Sequence, residues 1–210
     1  MNRILKSQLE QYKEKSVARL IETFFKENDA GGAWLKIVEE TGEPLVLDHF
    51  AIRCLDIDKR AKEFISMGFV NKKEIIEYPE QGWWAKVYRK KGYPALFIDQ
   101  DYTGRAVNSS PLTPWVKKFG DQALHHVAVR VPGIDKAKAL LVQKGIEFSG
   151  EIIGPPGTRL RQIFSAAEVR DGSAYTVLEL AERNNYDGFY PEQADGLMKS
   201  SVKTKSISAR

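Results

Sequence analysis

The sequence repeats itself. Residues 47–68 and 124–145 align at a constant offset of 77 without a gap, and eight of the 22 columns are identical. Leu47, His49, Ala51, Arg53, Ile57, Asp58, Lys59 and Gly68 recur as Leu124, His126, Ala128, Arg130, Ile134, Asp135, Lys136 and Gly145. Most other columns keep their polarity, as in Phe50/Val127, Ile52/Val129, Phe64/Leu141 and Ile65/Val142. A repeat of this kind fixes the architecture before any single residue is considered. Each copy opens with a β-rich run (LVLDHFAIRCL, then LHHVAVRV) and continues into a helix that stops at its glycine. Three strand-like stretches follow: VNKKEIIEY, WWAKVYRK and PALFID in the first copy, IEFSGEII, LRQIFSAA and YTVLELA in the second. The expected fold is α+β, two βαβββ modules whose curved sheets share a cleft, with N-terminal helices in front. A cleft between two halves is where ligands most often sit.

The rest of the chain divides around the repeat. Residues 1–43 read as a helical segment. Leu5, Leu9, Tyr12, Leu20, Ile21, Phe24 and Phe25 give one amphipathic helix over 3–27, NDAGG stops it, and Trp34 to Val38 mark a shorter second helix. The first module spans 44–101, a Gly/Pro/Ser-punctuated connecting loop 102–120, and the second module 121–183. A C-terminal helical segment covers 184–198 and a flexible basic tail 199–210.

Length and composition narrow the function classes. A chain of 210 residues makes one compact domain. No run approaches 18 apolar residues and the first fifteen are charged throughout, so neither a membrane span nor a secretory signal is expected. A single cysteine, Cys54, fits a reducing cytoplasm. The net charge of +4 resides entirely in the last twelve residues, KSSVKTKSISAR. The body is therefore neutral, and no nucleic-acid partner is expected. The sequence leaves the oligomeric state open.

The chemistry gathers in the repeated strand. All three histidines lie there: His49, His125 and His126. Strand side chains alternate faces, so His49, Ala51 and Arg53 share one face and His126, Ala128 and Arg130 the matching one. A lone strand histidine is most often tied to a backbone carbonyl. Two at the same repeat position, facing one cleft, point instead to metal ligation. Glu179, an acid set between Leu178 and Leu180, supplies a carboxylate, while the first copy carries Phe97 near the equivalent place. Two histidines and one carboxylate leave open coordination positions, the facial arrangement of non-haem Fe(II) oxygenases. His125 points the other way and reads as a structural residue or one supporting a ligand from behind. Arg53 lies four residues beyond His49 on the same face, about 13 Å along the strand. That is the place for a guanidinium clamping a carboxylate of a small dicarboxylic acid, or equally for a structural ion pair. Arg130 has the same spacing from His126.

These segments resemble the 2-oxoadipate dioxygenase/decarboxylase (hydroxyglutarate synthase) family of the vicinal-oxygen-chelate superfamily. The similar stretches are LDHFAIRCLDID with its downstream MGF, YPALFID, SGEIIGPP followed by LRQIFS, and YTVLELAERNNYDGFYPEQADGLMKSS. They cover most of residues 35–201, and D-H-x-A-x-R and E-x-A-E-R followed by Y-x-G-F are the most specific pieces. The resemblance implies a mononuclear Fe(II) held by His49, His126 and Glu179, with Arg53 binding a carboxylate of the substrate and Gln162 lining the pocket. It implies O2-dependent conversion of 2-oxoadipate to 2-hydroxyglutarate and CO2, a step of lysine breakdown. Two alternatives stand beside it. One is a lyase or isomerase on the same scaffold using Zn2+, Ni2+ or Mn2+. The other is a binding module that kept the fold without the chemistry and works through its basic tail.

Overall fold

The computed structural model describes residues 2–79, 81–102, 110 and 112–200. The chain forms two compact units, Met1–Asp48 with His126–Arg210, and His49–His125. The class is α+β, with each copy of the repeat contributing a strand, a helix and further strands.

The repeated helices match to the residue. In the first copy β1 (Leu47–Arg53) leads into α4 (Ile57–Ser66), and in the second β5 (Ala123–Arg130) leads into α6 (Ile134–Gln143). Gly68 and Gly145 both adopt positive φ, 89° and 82°. Each closes its helix with the same pair of bonds. Gly68 N–H donates to Ile65 O and Phe69 N–H to Phe64 O, while Gly145 N–H donates to Val142 O and Ile146 N–H to Leu141 O. A left-handed residue closing a helix in this way favours glycine, which has no Cβ to clash.

After α4 come β2 (Ile75–Tyr78), β3 (Trp83–Tyr88) and β4 (Ala95–Asp101), and strand neighbours in this unit run β2-β3-β4-β1. β4 pairs in parallel with β1 and antiparallel with β3. The second copy is thinner. Its strands are β6 (Leu160–Phe164) and β9 (Val177–Arg183), in the order β5-β9-β6, with β9 parallel to β5 and antiparallel to β6. The stretch IEFSGEII, expected as a strand, contributes only the isolated bridges Phe148–Ser165 and Ile153–Gln162. Between them Ser149 turns both its N–H and its hydroxyl onto Phe164 O. Gly154 follows at φ 96° and Pro155 and Pro156 after it, a run that cannot sustain a ladder. A small hairpin, β7 (Val169–Arg170) and β8 (Ser173–Ala174), turns on Asp171 and Gly172, both at positive φ.

The N-terminal segment departs from expectation. The single helix over 3–27 is two, α1 (Arg3–Glu10) and α2 (Lys15–Glu27). The apolar spacing jumps by five from Tyr12 to Val17, which a continuous helix would throw off its buried face; the break restores it. All of Leu5, Leu9, Tyr12, Val17, Ile21, Phe24 and Phe25 are buried. NDAGG stops α2 at Glu27 as expected, and it also starts α3 (Asp29–Thr41), because the Asn28 side chain accepts from Gly31 N–H as its N-cap. Gly31 sits in a tight place: a Cβ there would lie 3.2 Å from the rings of both Phe24 and Phe25, which would have to give by a few tenths of an ångström. These helices dock on the second copy. Asn28 Nδ2 donates to Thr176 Oγ1 at 3.2 Å, Asp29 N–H to Glu168 Oε1 at 2.9 Å, and Lys144 Nζ meets Glu40 at 2.7 Å.

Within the expected connecting loop, α5 (Leu112–Phe119) forms on apolar Leu112, Trp115 and Val116. The C-terminal helix α7 spans Pro191–Ser200. Residues 201–210, nearly all of the basic tail, lie outside the described residues. No helix among the described residues is long and apolar enough to cross a membrane.

Candidate metal centre

In the unit that holds the second copy, three sequence-predicted residues come together. β5 presents His126. The parallel register sets Ala128, two residues on and on the same face, against Glu179 of β9. His126 Nε2 and Glu179 Oε2 are 3.5 Å apart, and both side chains are buried. Gln162 of β6 stands opposite Ala181, and its Nε2 donates to Glu179 Oε1 at 2.5 Å. The His126 ring packs against Phe164 at 5.1 Å between centroids. An imidazole and a carboxylate, buried side by side with one carboxylate oxygen engaged from behind, suit a small divalent cation. These residues fit the metal that the sequence pattern implies.

The other unit holds His49, Arg53 and His125. His49 is buried against Phe97, 4.9 Å between ring centroids. The register Ala51–Phe97 matches Ala128–Glu179, so Phe97 occupies the position that Glu179 holds in the second copy. Arg53 pairs across β1 and β4 with Asp99, and its guanidinium lies 5.1 Å from the Trp115 ring. Arg53 and Asp99 are 1% and 3% exposed, an arrangement too buried for a surface ion pair. Burial pushes the Asp99 carboxyl up to about 7, against the downward pull of Arg53 and His49. Burial likewise lowers the Arg53 guanidinium to about 10, although Asp99 and Asp101 act to raise it. His125 is buried edge-on to Trp115, 5.6 Å between centroids.

Arg130 differs from Arg53. Its neighbour on β9 is Ala181 and it lies at the exposed end of β5, bonded to Asp48 at 3.0 Å and Asp187 at 3.2 Å. Asp48 also takes a two-pronged contact from Arg183, at 2.6 and 2.8 Å. Arg183 gathers the following segment, donating to Tyr186 O at 3.0 Å and Gly188 O at 2.8 Å, with Phe189 4.5 Å from its guanidinium. The two pieces of sequence most specific to the resemblance, D-H-x-A-x-R and E-x-A-E-R with Y-x-G-F, are thus joined by one buried ion pair. Asp99 and Trp115 were not singled out from the sequence. Asp99 carried a readable signal, an acid closing the apolar run PALFI as Glu179 interrupts another. Trp115 carried none.

No protein-family model matches the chain. No curated protein matches it either. Solved structures do. Hydroxyglutarate synthase from Oryza sativa, solved in complex with 2-oxoadipate, aligns with a TM-score of 0.72 at 18% identity, over 89% of this chain and 90% of that one. A 4-hydroxymandelate synthase variant from Streptomyces coelicolor aligns at 0.63 and 18% identity, over 75% of this chain and 54% of that one. Methylmalonyl-CoA epimerase from Mycobacterium tuberculosis aligns at 0.52 and 19% identity, over 66% and 88%. The chain therefore shares the α+β fold of these structures, the class expected from its repeat.

Proposed function

We propose that the chain is a metal-dependent enzyme, an Fe(II) dioxygenase/decarboxylase that converts a 2-oxo dicarboxylic acid, 2-oxoadipate, with O2 to 2-hydroxyglutarate and CO2. The observation that carries this reading is the buried contact between His126 and Glu179 at the position where the first copy has Phe97. His49, at the repeat position that matches His126, is proposed as the third ligand beside His126 and Glu179. The likeness to hydroxyglutarate synthase supports the choice of substrate, and the resemblance of the D-H-x-A-x-R and E-x-A-E-R pieces supports the ligand assignment.

The metal, when bound, supplies the redox chemistry needed to activate O2. The protein supplies the rest. His49, His126 and Glu179 would hold the ion. Arg53, four residues along β1 from His49, binds the distal carboxylate through its planar fork and sets the orientation of the chain. Its burial with Trp115 keeps water from competing for that contact, which strengthens it. Asp99 beside Arg53 tunes how much positive charge the substrate meets. His125 supports the wall from behind through Trp115. Atoms balance: CO2 leaves with both oxygens of the 2-oxo carboxyl, while O2 supplies one oxygen to the new carboxyl formed at the keto carbon and one to the hydroxyl.

The test is oxygen uptake by anaerobically iron-loaded protein given 2-oxoadipate. One O2 consumed per CO2 released, with 2-hydroxyglutarate as product, is the expected result. Iron binding without substrate-dependent uptake across several 2-oxo acids would overturn the assignment. Turnover supported by Zn2+, Ni2+ or Mn2+ without O2 would select a lyase or isomerase on the same fold, the class to which the epimerase likeness points.

A further inference from the structure

We propose that Gln162 is a positioning residue for the metal-ligating carboxylate, fixing Glu179 as a one-oxygen ligand turned towards His126. The proposal rests on the reading of His126 and Glu179 as metal ligands. Gln162 Nε2 engages Glu179 Oε1 at 2.5 Å, and Oε2 alone is left on the His126 side, 3.5 Å from Nε2. Gln162 and Glu179 are 4% and 1% exposed, so water does not substitute for that donor. A carboxylate without it is free to swing both oxygens onto the ion and fill a position the substrate needs.

The local backbone supports the role. Gln162 exchanges both of its backbone hydrogen bonds with Ile153, at 2.8 and 2.9 Å, which holds the root of the side chain. Opposite it on β9 stands Ala181, small enough for the amide to reach across to Glu179. The first copy provides an internal control. Matching registers place Ala85, opposite Asp99, where the second copy has Gln162 opposite Ala181. Phe97 stands where Glu179 does. Amide donor and carboxylate acceptor are present together in one copy and missing together in the other.

Co(II) binding tests it, because the visible bands of the bound ion report coordination number independently of turnover. Wild-type protein, Gln162→Met and Gln162→Asn are titrated anaerobically with Co(II), and folding is checked by circular dichroism. Methionine keeps the length without a donor; asparagine keeps the amide but withdraws it by one methylene. The expected result is a dissociation constant raised about 10–100-fold in Gln162→Met with altered bands, and an intermediate change in Gln162→Asn. If Gln162→Met does not fold, Gln162→Asn carries the comparison. Wild-type affinity and an unchanged spectrum in the folded variants would overturn the proposal while leaving the metal centre intact. Failure of wild-type protein to bind Co(II) would instead remove the metal centre, and the proposal with it.

Discussion

The two copies of the repeat agree in their helices and part company in their last strands. α4 and α6 are ten residues each and close on left-handed glycines through the same pair of bonds. On β9 the second copy carries Glu179, Ala181 and Arg183; at the same register positions on β4 the first carries Phe97, Asp99 and Asp101. The exchange divides the labour. One copy gains the carboxylate proposed as a metal ligand and leaves its strand arginine, Arg130, at the surface. The other gains an aromatic wall and buries its strand arginine, Arg53, with an aspartate. Even the final residue of the strand keeps its task while reversing its charge. Arg183 collects the carbonyls of residues 186 and 188, whereas Asp101 accepts from Thr113 N–H and the Ser110 hydroxyl at the start of α5. The strand–helix unit is common to the two copies, and the last strand is where they differ.

The largest expected effect separates Arg183 from Arg130, which share Asp48. Arg183→Met leaves a buried carboxylate with one partially exposed partner and is expected to cost about 3–5 kcal/mol in urea denaturation. Arg130→Met, at the solvent end of the same network, is expected to cost under about 1 kcal/mol. Equal costs would show that the two arginines are interchangeable.

Next is the contrast between Arg53 and Arg130 in function. Arg53→Lys loses the planar fork, and KM for 2-oxoadipate is expected to rise about 100-fold, about 3 kcal/mol. Arg130→Lys is expected to leave KM within about twofold. Steady-state kinetics on both variants decides it.

Asp99 gives a pH signature that its counterpart Ala181 cannot. With its folded pKa near 7 against an ordinary 3.8, the native state holds a proton that the unfolded chain has already released. Stability of the metal-free protein is therefore expected to fall as pH rises from about 4 to about 7, by up to about 4 kcal/mol, and then to level off. Asp99→Asn is expected to flatten that slope in denaturation curves taken across the range. The smallest effect tests where the copies agree. Gly68→Ala and Gly145→Ala each force a side chain into the left-handed region and are expected to cost about 1 kcal/mol, equal within a few tenths. Unequal costs would show that the two helix stops differ in kind.

What could be read from the sequence follows the same division. His49, His126 and Arg53 were legible as candidates because the repeat fixes position and strand alternation fixes face, and Glu179 because it is an acid set between Leu178 and Leu180. Phe97 was legible as the place where the symmetry breaks. The partners across strands were not, since Gln162 with Glu179 and Arg53 with Asp99 depend on registers that periodicity does not give. Helix ends misled where one residue did two jobs. Asn28 both ends α2 and caps α3, so a cluster that looked like a breaker is a junction. The hairpin at 169–174 was announced by Asp171–Gly172, a turn dipeptide whose flanking strands are too short for an alternating pattern to show.

The central claim is that the second copy supplies the carboxylate of a metal centre that the first copy has given up. Anaerobic Fe(II) titration of wild-type protein beside Glu179→Ala and Phe97→Leu tests it most directly. One ion per chain in wild type and in Phe97→Leu, with binding weakened at least about 100-fold in Glu179→Ala, is the result expected. Undiminished binding in Glu179→Ala, or none in wild type, would contradict it.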